Sequence, residues 1–262
     1  MTVLIAIPAR YASTRYPGKP LVALRGPDGE KTLIRRSWDA AMTVRGVDRV
    51  VVATDDDRIK AHAEAFGAEV VMTSSAAQNG TERCAEVVQQ LTGFDVVVNL
   101  QGDAPLTPAW FVEDLVAGLL ADPQADIATP VLRCDGRAVA GFLADRRAGR
   151  VGGTTAVFGA GGRALYFSKE VIPYTGKTYD EAAPTPVFHH VGVYAYRPAA
   201  LAAYPSWPTG PLEQLEGLEQ LRFLEQGRKV LCVEVQARGR QFWELNNPSD
   251  VLVIEAMMRE MA

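Results

Sequence analysis

The chain has 262 residues, 48% hydrophobic and 22% charged, with a formal net charge of −4. That is an ordinary globular composition, and it excludes a whole-molecule basic field, so nucleic acid is not an expected partner and an anionic substrate must be met by a local positive cluster. Its three cysteines, Cys84, Cys134 and Cys232, are odd in number and far apart, which fits neither a disulfide scaffold nor a zinc spacing and reads as buried free thiols in a reducing compartment.

The first apolar run, 3–7, is too short for a signal peptide or a membrane span, so no membrane is expected and the cytoplasm is the default location. It reads as a fully buried strand ended by Pro8. A loop rich in Arg, Ser, Gly and Pro follows to residue 21. Residues 32–44 read as an amphipathic helix, 50–54 as a second buried strand, and 58–66 as a helix stopped by Gly67. Residues 69–72 are a strand, 81–91 a helix, 96–100 a strand and 108–120 a helix with proline in its first turn. Strands alternating with helices predict an α/β fold, a mostly parallel sheet with helices on both faces. Ligands in such sheets bind beyond the carboxyl ends of the strands. The loops 8–21, 54–57 and 101–105 all lie there and should converge.

In the second half, 127–132 is a strand and 135–153 a loop with a short helix. Residues 155–158 and 164–167 form a hairpin through 159–162. Residues 187–196 read as one strand, 212–224 as a helix, 230–235 as a strand and 248–261 as a terminal helix.

Three motifs carry chemistry. The run Pro8-Ala-Arg-Tyr-Ala-Ser-Thr-Arg-Tyr-Pro-Gly-Lys-Pro-Leu21 puts Arg10, Arg15 and Lys19 beside Gly18. Fixed cations, backbone donors and a glycine for close approach are what phosphates need, though the run is neither a Walker A loop nor a dinucleotide turn. The alternative is a solvated basic loop. In Asn99-Leu-Gln-Gly-Asp-Ala-Pro105, Asp103 follows a buried strand and is placed either to hold Mg²⁺ against phosphate oxygens or to cap the helix at 108. In Asn79-Gly-Thr-Glu-Arg83, Thr81 reads as a helix cap, while the Gly80 backbone and Arg83 are placed to read a base edge.

Together with Ala53-Thr-Asp55, Ala164-Leu-Tyr-Phe-Ser168, His190-Val-Gly-Val-Tyr194 and the segment from Pro211-Leu-Glu213 to Glu219-Gln-Leu-Arg222, these motifs make the sequence resemble the 3-deoxy-manno-octulosonate cytidylyltransferases along nearly its whole length. The resemblance implies a nucleotide-diphospho-sugar-transferase-like fold with a small hairpin or dimerisation lobe, a homodimer, and Mg²⁺. It implies one domain over 1–262, with a CTP-binding half at 1–125 and an acceptor-binding and dimerisation half at 126–262. In the implied reaction an acidic acceptor oxygen attacks the α-phosphorus of CTP and pyrophosphate leaves, a displacement that needs positioning and charge stabilisation rather than an enzyme nucleophile. By the same resemblance Arg10 and Lys19 neutralise the triphosphate, with Arg15 and Ser13 in the same loop. Ala9, Gly80, Arg83 and Gln101 line the cytosine pocket, and Asp103 holds Mg²⁺. His190, Tyr194, Glu216, Glu219 and Gln220 lie in the motifs of the acceptor side, the last three having an ordinary acidic helix face as their alternative.

The sequence also departs from the family pattern. Ala104 stands where the family has Glu in Gln-Gly-Asp-Glu-Pro, and Thr155 where it has Lys. Asn246, in Glu244-Leu-Asn-Asn-Pro248, takes the place of an Asp that is the family's second metal ligand. Asn is a weaker ligand for a hard cation, so either the second metal binds less tightly, Glu244 substitutes, or the acceptor brings its own charge. These changes leave three alternatives beside the sugar acid. One is a small phosphonate acceptor, such as phosphonoformate, in a natural-product pathway. Another is a different base or a sugar 1-phosphate acceptor. The last is a non-catalytic nucleotide-binding homologue.

Overall fold

The structure, a computed structural model, describes residues 1–13, 15–151, 153–240 and 243–261; Thr14 of the basic loop and Gly152 of the stretch expected as a loop lie outside the described residues. The chain divides into two compact units, Met1–Glu113 with Ala195–Pro205 and Ala237–Ala262, and Asp114–Tyr194 with Ser206–Gln236.

The first unit opens with β1 (Val3–Ala9), then a hairpin of β2 (Ala23–Gly26) and β3 (Gly29–Thr32), and α1 (Leu33–Met42). β4 (Arg49–Thr54), α2 (Asp57–Ala65), β5 (Glu69–Met72), α3 (Gly80–Gln90) and β6 (Val96–Leu100) follow, and α4 (Ala109–Ala121) leads into the second unit. Its main strands run in the order β5-β4-β1-β6, all parallel. Val3 to Ile7 and Val96 to Val98 are 0% exposed. They lack polar–apolar alternation because both faces of a parallel sheet are covered.

β1 does not stop at Pro8. It pairs with β4 through Pro8↔Ala53 and Ala9↔Thr54, so the basic loop starts two residues later than the proline suggested. Proline lacks only the donor, and the end of a ladder tolerates that loss. The helix cap at α3 is likewise corrected. Asn79, not Thr81, accepts from the Glu82 N–H, while the Thr81 hydroxyl shares a 2.8 Å bond with the Tyr196 hydroxyl. The β2–β3 hairpin was not expected, although Gly26-Pro-Asp-Gly29 carries the turn chemistry for one. Arg36, 8% exposed, anchors it by donating to the Leu24 and Gly29 carbonyls.

The second unit contains β7 (Ile127–Asp135), α5 (Gly136–Arg147), β8 (Thr155–Phe158), β9 (Ala164–Ser168) and β10 (Pro184–His190). β11 (Val193–Tyr196) carries the chain back to the first unit and α6 (Pro198–Ala203); α7 (Pro211–Glu216), α8 (Leu221–Glu225) and β12 (Val230–Glu234) return to the second, and α9 (Asp250–Glu260) ends the first. β12 runs parallel to β7, whereas β7–β10, β10–β8 and the expected β8–β9 hairpin are antiparallel.

Within the stretch 135–153, where mostly loop was expected, Gly136–Arg147 is a three-turn helix. Asp135 caps it by accepting from the Ala138 N–H, and Arg146 and Arg147 complement its last turn. The strand expected over 187–196 breaks after His190, whose own N–H turns to the Thr154 carbonyl. The helix expected over 212–224 is cut at Gly217, which sits at φ 62° in the left-handed region. α6 was not anticipated. All three cysteines are buried; burial pushes the Cys134 and Cys232 thiols up to about 11 and about 12.

Where β6 ends, Gly102 lies against β1. A Cβ at Gly102 would come 2.6 Å from the Pro8 carbonyl oxygen, a backbone atom that cannot step aside. Gly102→Ala is therefore expected to destabilise the fold by about 1–3 kcal/mol, as overpacking does. Urea denaturation measures it, and a loss below about 0.5 kcal/mol would show that the loop has room.

Candidate active site

The first unit carries a cleft of about 260 Å³ at the carboxyl ends of β1 and β6 and the start of α3. Every residue expected to hold the nucleotide lines it. Ala9, Arg10, Ser13, Arg15 and Lys19 come from the loop after β1, Gly80 and Arg83 from the first turn of α3, and Gln101 and Asp103 from the loop after β6. Gln78 and Asn79, in the segment before α3, line it as well and were not proposed from sequence. Asn79 was visible only as part of a turn, and no local signal marked Gln78.

The basic loop is folded on itself before it meets any ligand. The N–H groups of Ser13 and Gly18 both donate to the Tyr11 carbonyl, at 3.0 and 2.9 Å. Gly18, at φ 72°, turns the chain into a single 3-10 turn at Lys19–Leu21. Lys19 Nζ then reaches Asp103 Oδ2 at 2.7 Å, joining loops 84 residues apart; both side chains are largely shielded, 15% and 24% exposed. Asp103 is thus an ion-pair partner of the basic loop rather than a helix cap.

Arg10 Nη1 donates to the Gln78 carbonyl at 3.4 Å, and Arg15 Nη2 to Asn246 Oδ1 at 2.8 Å. Arg83, 3% exposed, has Nη1 3.3 Å from Asp55 Oδ1 and donates to Thr73 Oγ1. One cation of the cleft wall is therefore fixed from behind by Asp55, at the end of β4. Gly80 packs closely too: a Cβ there would lie 3.1 Å from both the Asn99 and the Gln101 side-chain amides.

Asn246 and Glu244 approach the same place from the segment before α9. The Leu245 N–H donates to the Asp103 carbonyl at 2.9 Å, and Asn246 Nδ2 to Glu244 Oε2 at 3.3 Å. Although Glu244 as a residue is exposed, its carboxyl sits in a crowd of protein atoms. Desolvation first, then repulsion from Asp103, push it up to about 7, against the opposing pull of Asn246, Lys19 and Arg15. The closeness of Glu244 to Asp103 follows from the fold alone.

The second unit contains the residues expected on the acceptor side. His190, 6% exposed, shares a 2.9 Å bond between Nε2 and Thr129 Oγ1. Its ring lies 5.7 Å from that of Tyr194, whose hydroxyl donates to Gln220 Oε1 at 3.1 Å. Gln220 Nε2 is buried with no hydrogen-bond partner among the described residues. The carboxylate of Glu216 accepts from Ser168 Oγ at 2.6 Å and the Lys169 N–H at 2.9 Å, which ties α7 to the end of β9. Glu219 is half-buried. Two other members of this motif, Glu213 and Arg222, pair with each other in a buried bidentate bridge at 2.6 and 2.8 Å. Among the described residues no helix is long and apolar enough to cross a membrane.

Burial, and secondarily His189, bring the His190 imidazole down to about 3. A depressed folded value means that the contribution to stability is present above the unfolded value near 6.5 and is lost as pH falls toward 3. Near pH 5 unfolding takes up one proton at this site, a slope of about 1.4 kcal/mol per pH unit. His190→Gln keeps a polar partner for Thr129 and should remove that slope; an unchanged dependence of urea stability on pH would mean that His190 is already protonated in the fold.

The chain is similar to known cytidylyltransferases. A family profile described as cytidylyltransferase matches residues 4–230. The 3-deoxy-manno-octulosonate cytidylyltransferase of Maricaulis maris is 44% identical over 259 residues, covering 98% of this chain and 97% of that one. Its counterpart in Chlamydia trachomatis serovar L2 is 41% identical over 252 residues, 95% and 91% of the two chains. A solved CMP:2-keto-3-deoxy-manno-octonic acid synthetase complexed with CTP superposes with a TM-score of 0.84 at 33% identity, over 100% of both chains. The chain belongs to the cytidylyltransferase family.

Proposed function

We propose that this cytidylyltransferase moves the CMP group of CTP onto a 3-deoxy-manno-octulosonate-type sugar acid and releases pyrophosphate. The observation that carries the reading is the cleft itself. Arg10, Arg15 and Lys19 from one loop face Asp103 from another, beside Gly80 and Gln101. Relatives of that name, similar over nearly the full chain, support the choice of acceptor.

In the reading, Arg10, Arg15 and Lys19 hold the triphosphate, with Ser13 donating to it. The Ala9 and Gly80 backbones, with Arg83 and Gln101, meet the cytosine. An acceptor oxygen bonds to the α-phosphorus as the bond to the β-phosphate oxygen breaks. The electron pair leaves with pyrophosphate, and the acceptor's proton passes to solvent. Lys19 and the two arginines offset the charge that develops on the leaving group.

The donor set fits a magnesium ion. Among the described residues no cluster of three or more His, Cys, Asp or Glu forms a ready cage. Magnesium prefers one or two carboxylates and completes its shell with water and phosphate oxygens. Asp103 would hold it, and Glu244, set against Asp103, offers a second carboxylate. When bound, the ion would polarise phosphate oxygens and neutralise their charge.

The buried network of His190, Tyr194 and Gln220 supports placing the acceptor there, with Glu216 and Glu219 in the same motif. A neutral His190 and the unpartnered Gln220 Nε2 suit hydroxyl and carboxylate groups. The reading keeps a homodimer, a single catalytic domain and a cytoplasmic place of action, all carried over from the sequence.

Pyrophosphate release measured with CTP, Mg²⁺ and either the sugar acid or a phosphonate tests the reading. Turnover is expected with CTP and the sugar acid; turnover with the phosphonate alone, or with UTP in place of CTP, would overturn it. Asp103→Ala should abolish turnover without unfolding the chain, and Lys19→Ala should lower kcat by about 10²–10³, the usual cost of removing one donor aimed at developing charge. Unchanged turnover in either variant removes that residue from the mechanism.

A further inference from the structure

We infer that Asn246 is a positioning residue for Arg15. It holds the guanidinium at the cleft without cancelling its charge, rather than serving as a metal ligand. The inference rests on the reading of the cleft as a CTP site.

Arg15 lies on an exposed loop and lines the cleft. A long charged side chain there loses much rotamer freedom on binding an anion unless something has already fixed it. The Arg15 Nη2–Asn246 Oδ1 bond, at 2.8 Å, is such a fixture. Asn246 is itself held from three sides. Its own N–H donates to Asp250 Oδ2 at 2.9 Å, and the next N–H, of Asn247, donates to the same oxygen at 2.6 Å. Asp250 is 9% exposed at the start of α9. The preceding N–H, of Leu245, is tied to the Asp103 carbonyl.

The side-chain amide also has a defined direction. Glu244 Oε2 accepts from its Nδ2 at 3.3 Å. An amide nitrogen only donates, so this bond leaves the oxygen to face Arg15. With Oδ1 turned to a guanidinium, it is turned away from a cation-binding role.

The neutrality of the partner decides what Arg15 can do. Lys19 is paired with a carboxylate, and a triphosphate must compete with Asp103 for it. Arg15 is hydrogen-bonded by a neutral carbonyl-type oxygen, so no carboxylate competes for that bond, although the Glu244 carboxyl also feels its charge. A carboxylate at 246 would form a charge-assisted pair with Arg15 and compete for that charge.

Isothermal titration with CTP, steady-state KM and kcat, and Mg²⁺ titration of Asn246→Ala, Asn246→Asp, Arg15→Ala and the Arg15→Ala/Asn246→Ala double variant test this, with thermal melts reporting the fold. Asn246→Ala should weaken CTP binding and raise its KM by about tenfold, the scale of one hydrogen bond to a charged group, with kcat within about twofold. In Asn246→Ala the half-saturating Mg²⁺ concentration should stay unchanged, and Asn246→Asp should weaken CTP binding in the same direction as Asn246→Ala. The double variant should bind CTP no worse than Arg15→Ala, since Asn246 acts through Arg15. A rise in half-saturating Mg²⁺ in Asn246→Ala would put Asn246 on the metal and overturn the inference, as would wild-type CTP affinity in that variant. Should Asn246→Ala melt early, Asn246→Asp decides by CTP affinity alone, and wild-type affinity there overturns the inference. Failure of the wild type to bind CTP would sink the reading of the cleft instead.

Discussion

A lysine and an aspartate 84 residues apart meet at 2.7 Å, and the geometry of the cleft follows from how that meeting is arranged. β1 and β6 are neighbours in a parallel sheet, so the loops that leave their carboxyl ends must emerge side by side. Gly102 lets the second loop lie against the Pro8 carbonyl, and the Ser37 hydroxyl donates to the Gly102 carbonyl at 2.9 Å from α1. Asp103 is thereby delivered to Lys19 by backbone packing, before either side chain contributes. The pair is only partly exposed, which leaves it stronger than a surface bridge yet still open to competition from a more highly charged phosphate.

The same economy of placement is seen in the other cations. Arg83 is braced by Asp55 and Thr73, Arg10 by a carbonyl, and Arg15 by Asn246. Each brace comes from a different segment. A site assembled in this way is stiff without being neutral, the condition under which charge stabilisation needs little reorganisation during reaction. The second unit achieves stiffness by burial instead. His190 is kept uncharged among Thr129, Tyr194 and Gln220, and the Glu213–Arg222 bridge and the Glu216 anchor fix the two short helices around the motif.

Much of this was legible in residue order. The buried runs at 3–7, 50–54 and 96–100 identified the strands, because a strand covered on both faces must be apolar throughout. Their carboxyl ends marked the three loops, and the motifs there named Arg10, Lys19 and Asp103. What was misread depended on contacts distant in sequence. Thr81 looks like a cap until Tyr196 occupies its hydroxyl and Asn79 takes over the helix. Pro8 looks like a strand end until β4 continues beside it. Residues 136–147 have too many alanines, glycines and arginines for a clear apolar stripe, so their helix showed no periodicity to read.

The sequence by itself determined the chemistry on offer: a basic loop, an acidic loop and a small-residue turn, each at the end of a buried strand, since strand period and local composition are properties of neighbours along the chain. Only the tertiary structure decided the pairings. It gave Asp103 to Lys19, Asp55 to Arg83 and Asn246 to Arg15, and it set Glu244 against Asp103. Those choices depend on which strand lies beside which and on where the segment before α9 returns, and no spacing along the chain encodes that.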